Sequence, residues 1–144
     1  MEVNMKIVQQ YAGAALTDIL RDCDETYSVE HNSGNGSMTI KLDNSISVCG
    51  YSVLPQFMFM KDGEVYFFAL LDKIDLTVEN AALAFEVSTS SALNVAIDEY
   101  LIVQLGAYLF NESQAGQMIE RYFDDLIYLL EEDNDFKKLL SRMY

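Results

Sequence analysis

Residues 94–132, NVAIDEYLIVQLGAYLFNESQAGQMIERYFDDLIYLLEE, decide how this chain folds. In the second half, Ala115, Ile119, Tyr122, Phe123, Leu126, Leu129 and Leu130 fall within about 60° of one direction for a helix turning roughly 100° per residue. Glu120, Asp124 and Glu131 point the opposite way, so one face needs a core and the other needs water. In the first half, Leu93, Val95 and Ile97, then Tyr100, Ile102 and Gln104, alternate as sheet residues do, with Asp98-Glu99 at the turn. A helix this amphipathic, directly after a hairpin, packs back across the sheet that the hairpin joins.

Working outward, the apolar residues Met5, Val8, Ala12, Ala15, Ile19 and Cys23 step by three and four, and Asn4 is placed to cap an N-terminal helix. Tyr27, Val29 and His31 alternate as a short strand, and Asn32-Ser-Gly-Asn-Gly36 is turn chemistry. Met38, Ile40 and Leu42 alternate again. After a turn at Asp43-Asn44, Ile46 and Val48 start a third strand, Gly50 is read as a bulge, and Pro55 is read at the edge or start of a strand. Phe57-Met-Phe-Met60, Lys61-Asp-Gly-Glu64 and Val65-Tyr-Phe-Phe-Ala-Leu-Leu71 read as a hairpin whose two strands are apolar on both faces. Two accounts fit such strands: a central pair covered by helix on one side and something else on the other, or a pair whose second cover is another protein. Thr77 caps a helix over residues 78–87, although the alternation of Leu83, Phe85 and Val87 also suits a strand. Asn111 with Gln114 forms a capping box for the long helix. That helix breaks near Asp133-Asn134, before a last apolar stripe of Phe136, Leu139, Leu140 and Met143.

Composition narrows the function. The chain has 144 residues, enough for one domain with a core that needs no disulfide or metal. Its 9 basic and 23 acidic side chains give a formal charge of −14, which repels nucleic-acid phosphates and anionic membranes and suits either a basic partner or simply a soluble protein that must not aggregate. No run of about 18 apolar residues is present, so no membrane span is expected. An apolar fraction of 51% beside that charge implies more apolar surface than a monomer hides, and so a homodimer. The N-terminal residues lack a basic-then-apolar signal pattern, and a cytoplasmic, reducing setting is the expectation.

Chemistry-bearing residues are few. His31 follows a strand with no local serine or cysteine to partner it, and is read as an edge residue. Cys23 and Cys49 lie in apolar patterns and are read as small buried hydrophobes. Asp22, Asp24 and Glu25 open like a calcium loop, as do Glu131, Asp133 and Asp135. Tyr27 and Phe136 stand where such a loop needs glycine. Gly34-Asn-Gly36 lacks the rest of a phosphate-binding loop. No catalytic residue, metal or cofactor is assigned.

The order of elements and the acidity resemble the type III secretion chaperone fold (Tir-chaperone type) and the related YbjN-like bacterial regulators. The resemblance is carried by Leu93-Asn-Val-Ala-Ile-Asp-Glu-Tyr-Leu-Ile-Val-Gln-Leu105 and the run from Ser113 to Leu130. It implies an α+β fold, an antiparallel sheet with N-terminal, middle and long C-terminal helices packed on it, in the order α-β-β-β-α-β-β-α; the hairpin at residues 57–71 is extra to that pattern and departs from it. It also implies a non-enzymatic homodimer that holds an extended segment of a client protein across apolar patches and sheet edges. Phe57, Phe59, Tyr66 and Phe68, from the two-sided apolar strands, are the candidate partner- or dimer-facing residues. An acidic inhibitor or immunity-type protein that neutralises a basic partner is the competing expectation, and an enzyme on the same scaffold is the third.

Overall fold

The computed structural model describes residues 2–144. Its elements run α1 (Met5–Ile19), β1 (Tyr27–His31), β2 (Met38–Leu42), β3 (Ile46–Val48), β4 (Tyr51–Phe59), β5 (Glu64–Lys73), α2 (Val78–Ser90), β6 (Asn94–Asp98), β7 (Tyr100–Tyr108), α3 (Gln114–Glu132) and α4 (Asn134–Leu140). The seven strands make an open antiparallel sheet in the order β1-β2-β4-β5-β7-β6, with β3 pairing β4 off that path. This is the expected α+β class. The extra hairpin is β4–β5, and it forms the middle of the sheet. Among the described residues no helix is long and apolar enough to cross a membrane.

Local chemistry sets the helix ends. Asn4 Oδ1 accepts the backbone N–H groups of Lys6 (3.0 Å) and Ile7 (3.4 Å) at the start of α1. Thr77 Oγ1 accepts the Asn80 N–H at 3.1 Å, so residues 78–87 are helix, continuing to Ser90. The strand-like alternation there misleads because Phe85 simply points into solvent. Gln114 reaches back to the N–H groups of Phe110 (2.7 Å) and Asn111 (3.3 Å), but the Asn111 side chain accepts the Ser113 hydroxyl and α3 has no side-chain cap, so only the returning half of the expected capping box forms. Asp133 ends α3 and caps α4 by accepting the Phe136 N–H at 2.9 Å.

The buried face of α3 is Ala115, Ile119, Tyr122, Phe123, Leu126, Leu129 and Leu130, the stripe read from periodicity. It lies on one face of the sheet, where Tyr122 stacks on Phe67 (ring centroids 5.0 Å apart) and meets Phe57 edge-on at 5.9 Å. Helix α1 lies beside α3, and small residues set how close they come. A Cβ added at Gly116 would stand 3.0 Å from the Tyr11 carbonyl oxygen and 3.6 Å from the Ala15 Cβ.

Two readings of single residues need correction. Pro55 lies inside β4, a central strand, rather than at an edge or a strand start. Pairing with β2 covers Gln56 to Phe59 and pairing with β3 covers Tyr51 to Val53, so on that side Leu54 and Pro55 have no partner. The chain bends at Asp43-Asn44 between β2 and β3, and this gap in the ladder is where a residue without an N–H fits a central strand. Cys23 and Cys49 are exposed, not buried. Cys49 and Gly50, with φ of 51° and 85°, are the two loop residues of the tight β3–β4 hairpin, so Gly50 serves a turn and not a bulge.

Candidate functional site

Strand alternation splits the middle of the sheet into two apolar faces. On the helix-covered face lie Met38, Ile40 and Leu42 of β2, Val53, Phe57 and Phe59 of β4, Val65, Phe67, Ala69 and Leu71 of β5, and Leu101 and Val103 of β7, all buried. On the opposite face lie Leu54, Gln56 and Met58, then Tyr66, Phe68 and Leu70, then Ile102 and Gln104, none of them buried. Cross-strand register aligns these into rows: Leu54–Leu70–Ile102–Ala96, and Lys41–Gln56–Phe68–Gln104–Asn94. Between the rows runs a groove of about 370 Å³, lined by Lys41, Leu54, Gln56, Phe68, Leu70, Ile102 and Gln104.

The four candidate residues therefore divide. Phe57 and Phe59 are wholly buried in the chain's own core, which removes them as partner-facing residues. The reason is the period of two along a strand: whichever face takes α3, every second side chain goes under it. Tyr66 and Phe68 lie on the open face, with Leu54, Leu70 and Ile102, which single-strand reading did not gather with them.

At one end of this face a carboxylate is held by two phenols. Tyr66 donates to Glu64 Oε2 and Tyr108 donates to Glu64 Oε1, both at 2.7 Å. The Tyr66 bond, then the Tyr108 bond, holds the Glu64 carboxyl below its ordinary value, and the same bonds push both phenols up. Asp62 Oδ1 accepts the Glu64 N–H at 3.0 Å. Among the described residues neither Glu64 nor Asp62 is in an ion pair, whereas Lys41 is 2.9 Å from Glu30.

The sheet edges differ. At β6 the Val95 N–H donates to Ser88 Oγ of α2 at 2.8 Å, so the helix closes that edge. Beside β6, Leu76 just before α2 and Val78 and Phe85 within it are 71%, 88% and 66% exposed. His31 ends β1 at the far edge, in an exposed position.

A second cleft of about 370 Å³ lies between the end of α1, the β3–β4 turn and α3, lined by Ile19, Cys23, Ile46, Cys49, Phe123 and Ile127 with Glu120 and Asp124. Cys49 Sγ donates to Glu131 at 3.3 Å. Burial first and the Glu131 carboxylate second push this thiol up, away from its nucleophilic form. Among the described residues no three His, Cys, Asp or Glu side chains gather as a metal site. No protein-family model matches this chain, and no curated protein matches it significantly.

Proposed function

We propose that this protein is a non-enzymatic protein-binding module, chaperone-like or regulatory in kind, that holds an extended segment of another polypeptide on the open face of its sheet. The observation that carries this reading is the pair of central strands, β4 and β5, apolar on both faces and covered by helix on one. Leu54, Phe68, Leu70 and Ile102 form a continuous apolar strip in a chain of net charge −14, where the charge keeps such a strip soluble without covering it. An extended segment laid along β5 on this face would cross the rows and set alternate side chains between them.

The module acts as a homodimer, and the exposed apolar residues Leu76, Val78 and Phe85, at and just before α2, support a second contact surface separate from the client face. The secretion-chaperone and YbjN-like resemblance agrees with both parts of this reading. The competing reading, an acidic inhibitor of a basic protein, rests on the net charge alone.

The test is affinity capture from the native cell on wild-type protein and on Phe68→Asp, with fold checked by circular dichroism. The expected result is one co-purifying polypeptide, lost with Phe68→Asp and retained as salt rises. Binding that collapses between low and moderate salt and ignores Phe68→Asp would favour the inhibitor. Light scattering checks the dimer, with Phe85→Asp expected to give a monomer.

A further inference from the structure

The chemistry of the open face also selects the kind of segment it takes. We infer that the occupant is an extended peptide segment lying along β5, with alternate apolar side chains and a lysine or arginine at the Glu64 end of the open face. This rests on the protein-binding reading above and goes further by naming the charge and its place.

Three observations carry it. Both Glu64 oxygens are held at 2.7 Å by Tyr66 and Tyr108, which fixes the carboxylate in place and keeps it ionised. Asp62 stands next to it, and neither acid has an ion-pair partner among the described residues. Two phenol rings beside a fixed carboxylate suit a cation twice, by charge and by the ring faces. Lys41 is already paired with Glu30, and Lys73 lies at the other end of the sheet against the Tyr100 ring, so among the described residues no lysine or arginine of the chain compensates the Glu64 end.

Geometry then gives a spacing. Glu64 and Phe68 lie four residues apart on the same strand and face, roughly 13 Å at strand rise. A segment lying along the strand places its cation about four residues from the apolar side chain set against Phe68. A second copy of this chain does not meet the requirement. It would bring 23 acidic against 9 basic side chains towards Glu64 and Asp62.

The test is selection of a random decapeptide library displayed on phage against the full chain, repeated on Glu64→Gln and on Phe68→Asp. Glu64→Gln keeps the shape and removes the charge: its amide oxygen accepts one tyrosine hydroxyl, while its NH2 group donates towards the other. The expected winners from wild type alternate apolar residues and carry Lys or Arg about four positions from one of them. Replacing that cation with Glu in a synthetic winner should weaken binding about tenfold on wild type and far less on Glu64→Gln. Apolar winners with no placed cation, or a cation preference that survives Glu64→Gln, would overturn the inference and leave the protein-binding reading standing. No enrichment at all, or enrichment that ignores Phe68→Asp, would overturn both.

Discussion

Phe67 and Phe68 are neighbours in β5 that face opposite ways, which makes them a direct test of the two-faced sheet. Phe67 is 1% exposed, packed against Phe57 at 5.4 Å and stacked on Tyr122. Phe67→Ala removes a ring from a close-packed aromatic cluster, leaving a cavity that α3 cannot fill without moving, and should cost about 3–5 kcal/mol. For a domain of this size each kcal/mol lowers Tm by about 2–4 °C, so the expected fall is about 6–20 °C. Phe68 lies half-buried on the open face. Full burial of a phenylalanine is worth about 1.5–3 kcal/mol, so Phe68→Ala should cost roughly 1 kcal/mol and a few degrees. Thermal and urea denaturation of both variants, with unchanged m-values, is the assay. If Phe68→Ala lost as much stability as Phe67→Ala in dilute monomer, the second face would be enclosed by its own chain. The docking argument would then fail.

Three further outcomes follow from single contacts. Gly116→Val should force α1 and α3 apart, because a Cβ there meets the Tyr11 carbonyl oxygen at 3.0 Å, with a loss of about 1–3 kcal/mol in denaturant titration. An unchanged midpoint would mean that the helices have room. Ser88→Ala should leave the Val95 N–H without its acceptor, costing about 1–3 kcal/mol and speeding hydrogen exchange at Val95 while Val103 stays protected. Because the folded Glu64 pKa lies below its ordinary value, its contribution is complete above the unfolded carboxylate range and is lost as pH falls through the folded value. Carbon NMR of the Glu64 carboxyl should show that depressed midpoint, and Tyr66→Phe with Tyr108→Phe should raise it. A midpoint that ignores the double variant would remove the hydrogen bonds as its cause.

What could be read from the chain followed from how local each signal is. The buried stripe of α3 was legible residue by residue, because a helix repeats its faces every few positions and charged residues mark the outer one. Asn4, Thr77 and the Asp133-Asn134 break were legible for the same reason, since a cap acts within three residues. Phe57-Met-Phe-Met60 and Val65-Tyr-Phe-Phe-Ala-Leu-Leu71 carry no such mark: apolar at nearly every position, they give a period of two with no label for inside. Only the placement of Tyr122 across Phe57 and Phe67 made one set core and left Phe68 outside. Cys49 reads as a core residue until the β3–β4 turn puts it at a positive φ in solvent.

By itself, then, the sequence determined the α+β class, the helix faces and the acidic surface, each from spacing within a few residues. The tertiary structure alone decided which face of the central strands is open, and it alone joined Glu64 to Tyr108, 44 residues away, through the pairing of β5 with β7. Strand pairing between distant segments is chosen by the whole core at once, and no local period encodes it.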